Sequence, residues 1–227
     1  MRLLVFLLAV ATAVASGNPD LLSARDRQDR AALDRIVAES RAAAEKEQND
    51  ANAQYRLAIA ESTAAEVAIE QKDKAKSREF AESGMRAAEK AVSLNANSSE
   101  YNRILGTLCG QMISSQGLAG LKYGSCALKS VNKAIDLDPK SSEAYLSHGV
   151  GNYYMPAAFG GGMEPAIKDF EKAIELNPKS ADAYLWLGIA LRKENKNPEA
   201  RKAFAKSLEL NPNRIWAKQQ LEKTPAQ

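Results

Sequence analysis

The residues able to do chemistry are few and scattered. His148 is the sole histidine. A single imidazole with no carboxylate or thiolate beside it in sequence builds neither a metal site nor a triad lacking a partnered nucleophile, so it reads as a satisfied interior or edge histidine. Asp136/Asp138 and Glu171/Glu175 fall at helix ends and on outward faces, where carboxylates read as solvated charge. Gly160, Gly161 and Gly162 invite comparison with phosphate-cradling loops, but no Lys-Ser/Thr pair follows and no strand precedes them. They read instead as a tight helix-to-helix turn needing positive φ. No catalytic, metal or cofactor constellation emerges, and the expectation is a non-enzymatic protein without a cofactor.

Charge narrows the partners. Thirty-one basic and 28 acidic residues give a net charge of +3, and the two signs alternate along helix faces without clustering, which gives no case for nucleic acid. The opening stretch, MRLLVFLLAVATAVASG, places Arg2 before an apolar run from Leu3 to Val10 and then the small residues Ala13, Val14 and Ala15. That layout predicts a secretory signal peptide, residues 1–15, cleaved after Ala15. The apolar run is short of the ~20 residues that cross a bilayer, so stable membrane insertion after cleavage is not expected. With no cysteine near the cut, a lipid tether is not expected either. The mature chain is expected in an exported compartment, periplasmic or secreted.

What must position every other residue is one nineteen-residue phrase. It reads AEKAVSLNANSSEYNRILG from Ala88, VNKAIDLDPKSSEAYLSHG from Val131, FEKAIELNPKSADAYLWLG from Phe170 and, worn, FAKSLELNPNRIWAKQQLE from Phe204. The successive intervals are 43, 39 and 34 residues. Each phrase is the end of a helix, a turn and the start of the next: in the third copy Ala173, Ile174 and Leu176 share a face, Asn177-Pro178 stops the helix, and Ser180 caps a new one. The unit is a recurring helix hairpin. A leader and a helix from Ser23 to Lys46 (residues 16–50) precede a repeat domain over residues 51–227. Helices are expected over Ala51–Glu70, Lys74–Leu94, Ser98–Ser115, Lys122–Leu137, Ser141–Met155, Glu164–Leu176, Ser180–Lys193, Pro198–Leu210 and Asn213–Lys223. In the last of these, Gln219, Gln220 and Lys223 are expected to form a polar outer face.

The two cysteines, Cys109 and Cys126, fall on either side of the expected turn at Gly117–Gly120, at similar heights on antiparallel helices. A disulfide is geometrically plausible, and in an oxidising compartment it would add roughly 3 kcal/mol. Two small buried thiols in a helix interface read equally well.

The 34-residue interval and its pattern resemble the tetratricopeptide repeat (TPR) family. In the copy from Ala181 the motif falls on Tyr184, Leu187-Gly188, Leu191, Ala200, Phe204 and Pro212. The preceding copy carries Tyr145, Gly149, Ala166, Phe170, Ala173 and Pro178, with His148 where leucine is usual. The copy before that has Leu105-Gly106, Ala127, Val131, Ala134 and Pro139. The resemblance covers roughly residues 50 to 222 and implies an all-α right-handed solenoid of about four hairpins between N- and C-terminal capping helices. It also implies a concave groove lined by the first helix of each hairpin: Tyr55 and Ile59, Arg103 and Thr107, Leu146, Val150, Tyr153 and Tyr154, then Leu185, Ile189 and Arg192. The family's carboxylate clamp uses Lys, Asn and Arg on this stripe, which Tyr55, Ile59, Leu146 and Val150 replace, so chaperone tails are disfavoured.

An apolar, aromatic groove suits a protein or peptide partner. A different reading has the same stripe covered by the long N-terminal helices or by a neighbouring subunit. The stretch from Tyr154 to Pro165, with its Tyr-Met-Pro and glycines, resembles exported helical-repeat proteins similar to the T component of TRAP transporters. That likeness implies a rival function, a periplasmic binder of a small apolar ligand working with a transporter, with the Pro156–Pro165 loop as the lip of its pocket.

Overall fold

The structure, a computed structural model, describes residues 19–115 and 119–226. Among these residues there are eleven α-helices and no strand. Four hairpins follow one another: α3 (Ala51–Glu70) with α4 (Lys74–Leu94), α5 (Ser99–Ser115) with α6 (Ala119–Leu137), α7 (Ser142–Tyr154) with α8 (Met163–Leu176), and α9 (Ala181–Lys193) with α10 (Asn197–Leu210). Ahead of them lie α1 (Pro19–Asp26) and α2 (Arg30–Lys46), and behind them α11 (Ile215–Glu222). Each helix packs chiefly on its hairpin partner, while α3, α5, α7 and α9 also touch in succession, the neighbour-to-neighbour pattern of a solenoid. The expected all-α solenoid is thus the observed architecture.

The repeated phrase folds by repeated local chemistry. Asn95, Asp138, Asn177 and Asn211 each turn a side-chain oxygen back to accept the backbone N–H two residues on, an Asx turn that ends one helix. Ser98, Ser141 and Ser180 then accept the N–H of Tyr101, Ala144 and Ala183 and start the next. Within the hairpins, Gly149 and Gly188 let an aromatic ring lie flat against helix backbone. A Cβ at either would come within 2.6 Å of Phe170 or Phe204, and both rings are fully buried, each contributing roughly 1.5–3 kcal/mol.

Several expectations need correction. The helix expected over Ser23–Lys46 is two helices, because Gln28 takes a left-handed conformation (φ 52°) and Asp29 caps α2 through the Ala32 N–H at 3.1 Å. The break frees α1 from the line of α2, so that Leu21 and Ala24 can join a core with Leu33, Ile36 and Val37. α6 starts at Ala119, earlier than expected, so Ala119 and Gly120 are helical. Gln220 is buried, not part of a polar outer face. The signal peptide, residues 1–15, and part of the Gly117–Gly120 turn lie outside the described residues.

Candidate functional site

Three leading helices carry an aromatic row. Tyr153 and Tyr154 at the end of α7 meet edge to face, with centroids 4.9 Å apart. Trp186 of α9 lies 5.8 Å from Tyr153 and 6.2 Å from Tyr154. Trp216 of α11 is 5.4 Å beyond Trp186, and the buried Phe170 ring stacks beneath Trp186 at 6.2 Å. Lys193 Nζ sits 4.5 Å over the Tyr153 ring, a cation–π contact. Tyr154 is 52% exposed, yet burial pushes its phenol up to about 12, with Tyr153 adding to the effect. Its ring is packed on one side against Tyr153 and Trp186 and open on the other. Glu143 behaves alike: it is exposed, and burial raises its carboxyl, with Asp182 and Glu100 adding to that against Arg103 and Arg25.

Side-chain contacts join the first and last helices of the described array. Arg25 Nη1 donates to Asp182 Oδ2 at 2.7 Å, joining α1 to α9. Asn211, after α10, donates to Asp26 Oδ2 at 2.7 Å, and Gln219 of α11 donates to Gln28 at 3.4 Å. At the centre is Arg214, 0% exposed. It donates to Glu66 at 2.7 Å and Glu70 Oε2 at 3.1 Å, and pairs closely with Glu70 Oε1. Its Nε has no hydrogen-bond partner and faces Asp26 and Asp182 at 3.7 Å. Burial, reinforced by Glu66 and opposed by Arg214, pushes Glu70 up to about 7. Burial would also raise Asp182, but Arg25 and Arg214 together hold it below the usual carboxylate range. Charges this well buried persist only when paired, so the solenoid is locked end to end.

The groove residues expected from the repeat pattern divide into two groups. Leu146, Leu185 and Ile189 are buried: Leu146 packs with Phe170, and Leu185 and Ile189 with Ala200, Phe204 and Ala217. They offer no open apolar floor. Tyr55 packs at a tilt of 39° against Tyr101, centroids 4.9 Å apart, and donates to Glu100, while Ile59 is half-buried between two core clusters. Arg103 is held by Glu100 at 2.8 Å, and Arg192 by Gln220 Oε1 at 2.6 Å and the Gln220 carbonyl at 3.1 Å. Val150 and Tyr153 are half-buried and Tyr154 open, so the structure brings together only the end of the stripe. Beyond it, Phe159 stands 76% exposed in a loop turned by Gly160 and Gly162 at φ 87° and 115°.

Cys109 and Cys126 form a disulfide across the second hairpin, with Cα atoms 6.0 Å apart. His148 is not without a carboxylate: its Nδ1 lies 2.8 Å from Asp169 Oδ2, which also accepts from Asn152 at 2.7 Å. The imidazole is thereby satisfied across the third hairpin. Among the described residues no group of three or more His, Cys, Asp or Glu could hold a metal ion, and no helix is long and apolar enough to cross a membrane.

Residues 20–158 match the family described as regulator of microtubule dynamics protein 1-3. The chain belongs to this family. Residues 162–215 match the tetratricopeptide repeat, so the two matches meet at the Phe159–Gly162 turn, the first covering α1 to α7 and the second α8 to α10. Among solved structures, a thermophilic TPR protein from Thermus thermophilus is similar at 17% identity and TM-score 0.62, over 85% of this chain and 92% of that one. The HusA haemophore from Porphyromonas gingivalis is similar at 19% identity and TM-score 0.57, over 79% of this chain and 96% of that one. At such identities the likeness is one of fold. No curated protein matches the sequence.

Within this family member, the residues missed by sequence reasoning are the closing charges and the two tryptophans. A signal for one of them was present. Arg214 occupies the slot that Ser98, Ser141 and Ser180 fill in the other copies, and α11 accordingly has no side-chain cap. Its acceptors, Glu66 and Glu70, lie on the part of α3 that exceeds the usual repeat length. An arginine in a capping position and an overlong helix were two halves of one contact.

Proposed function

We propose that this TPR protein is a non-enzymatic exported scaffold that holds a protein or peptide partner on the Tyr153, Tyr154, Trp186 and Trp216 row beside Phe159. Clustered aromatics, half-buried to exposed, are the composition of interface hot spots, where rigid rings give large contact area at little entropic cost. The observation that carries the reading is the edge-to-face row of Tyr153, Tyr154, Trp186 and Trp216 with Tyr154 52% exposed at its end. Export rests on the signal-like opening of the sequence, and the family's description makes microtubules one partner to test against that placement.

A photo-crosslinking residue at Tyr154, compared with one at exposed Lys168 on α8, tests the site in the native host. The reading expects a discrete adduct at 154 that Phe159→Ala and Trp216→Ala diminish, with helicity unchanged. Equal adducts at both positions would overturn it. An adduct to a small apolar molecule at 154 would favour the transporter-associated ligand binder, the reading that the HusA fold likeness also brings forward.

A further inference from the structure

The hydrogen-bonding groups of the aromatic row select among the kinds of segment that could lie on it. The Tyr153 and Tyr154 hydroxyls and the Trp186 and Trp216 indole N–H groups have no hydrogen-bond partner among the described residues, and none of the four is sealed from solvent. An indole N–H only donates and a phenol also carries a donor, so the row asks its ligand for acceptors. An extended strand gains its affinity by pairing with a sheet edge, and the described residues include no strand. An amphipathic helix has its carbonyls bonded to its own backbone. A polyproline II segment has no internal hydrogen bonds and its prolines lack an N–H, so its carbonyls are free to accept while few donors need a partner in return.

Ring geometry and charge agree with that choice. Tyr153, Tyr154 and Trp186 meet one another at interplanar angles of 86°, 68° and 76°, and Trp216 meets Trp186 at 69°. Near-perpendicular rings leave angular slots that fit a compact pyrrolidine, whereas coplanar rings would make a platform for a flat ligand. The slots are held from behind: Trp186 lies on the buried Phe170 ring, and the fully buried Arg214 guanidinium is 5.5 Å from the Trp216 centroid. A rigid receptor and a rigid segment lose little entropy on meeting. Centroid spacings of 6.2 Å from Tyr154 to Trp186 and 5.4 Å from Trp186 to Trp216 make a row of at most about 12 Å, the length of about four polyproline II residues at about 3.1 Å each. Beside the row, Lys193 is exposed over the Tyr153 ring and has no ion pair among the described residues, which leaves a positive charge for an acidic neighbour. Resting on the reading of this row as the partner surface, we propose that the partner segment is proline-rich, a Pro-x-x-Pro stretch in polyproline II form flanked by an acidic residue.

Both tryptophans of the chain are in the row, so tryptophan fluorescence reads the site directly. The probe is acetyl-Glu-Pro-Pro-Pro-Pro-Pro-Pro-Glu-amide, acidic at each end so that either end can face Lys193, titrated into the full chain at low salt beside a peptide with serine for every proline. The proline peptide should give a saturable change, and the serine peptide should bind at least about tenfold more weakly. Tyr154→Phe, which removes only a hydroxyl from an open side chain, should weaken binding about threefold to tenfold. Tyr154→Ala should weaken it at least about tenfold and Lys193→Glu about twofold to fivefold, with helicity by circular dichroism unchanged in each. Equal binding of the two peptides, no saturable change, or binding indifferent to Tyr154→Ala overturns the proposal. A discrete protein adduct at position 154 in the host, from a partner with no proline-rich stretch, overturns the proline assignment and leaves the partner surface standing. Equal adducts at 154 and 168 remove the surface and the proposal with it.

Discussion

Arg214→Met is the sharpest perturbation of the end-to-end closure. The variant keeps the volume and flexibility of the aliphatic stem but leaves Glu70, with its side chain 1% exposed, and the partly exposed Glu66 without their cation. Breaking one side of a buried pair costs roughly 3–5 kcal/mol when the remaining charge stays desolvated, and Glu70 escapes part of that cost by taking up a proton, its carboxyl already pushed up to about 7 by burial. Arg214 already forgoes one hydrogen bond at Nε, which places the loss toward the lower end. For a chain of this size about 3 kcal/mol corresponds to a Tm lower by roughly 6–12 °C. The loss is local before it is global: Arg25, Asp26 and Gln28 tie α1 and its following turn to α9, Asn211 and α11, so the amide protons of α1 should exchange faster in the variant while those of α7 and α8 keep their protection. Hydrogen exchange read by mass spectrometry, with thermal unfolding alongside, measures both. A double-mutant cycle with Glu70→Met separates the pair from the burial of each partner, and the double variant should recover much of the loss. An unchanged Tm in Arg214→Met with α1 still protected would refute the closure argument.

Other expectations follow from the same structure. Glu70 holds its proton up to about pH 7 in the folded chain against its ordinary 4.5, so the native state binds more protons across that window. The Glu70 contribution therefore makes stability fall as pH rises from about 4.5 to about 7, and Glu70→Gln should flatten that slope in urea titrations. Asp182, held low, acts in the opposite sense: its contribution is present above its unfolded pKa and is lost as acid titrates the folded carboxylate. Gly188→Ala should destabilise by about 1–3 kcal/mol because its Cβ meets the Phe204 ring, whereas Gly151→Ala, with nothing within 4 Å, should be neutral or gain up to about 1 kcal/mol in chemical denaturation. Reduction of Cys109–Cys126 should cost roughly 3 kcal/mol, and two free thiols in protein taken from its own host would show that the bond does not form there.

The sequence alone determined the repeat. Asn-Pro or Asp-Pro stops, serine caps and glycine–phenylalanine pairs act within a few residues or across one hairpin, and local chemistry repeated in register is readable as pattern. Helices such as Ala51–Glu70 and Lys74–Leu94 were legible to the residue for that reason. The break at Gln28 was not, because no proline or glycine interrupts Ser23–Lys46, and the left-handed turn at Gln28 accompanies the reach of Arg25 to Asp182 and of Asp26 to Asn211. Nor were the partners of Arg214, which lie 144 and 148 residues away. How far a solenoid curves depends on small rotations summed over every hairpin, a quantity no single stretch of chain encodes. Only that sum decided that the two ends meet, that Leu185 and Ile189 are sealed in while Tyr154 stays open, and that a row of rings on three separate helices forms one surface.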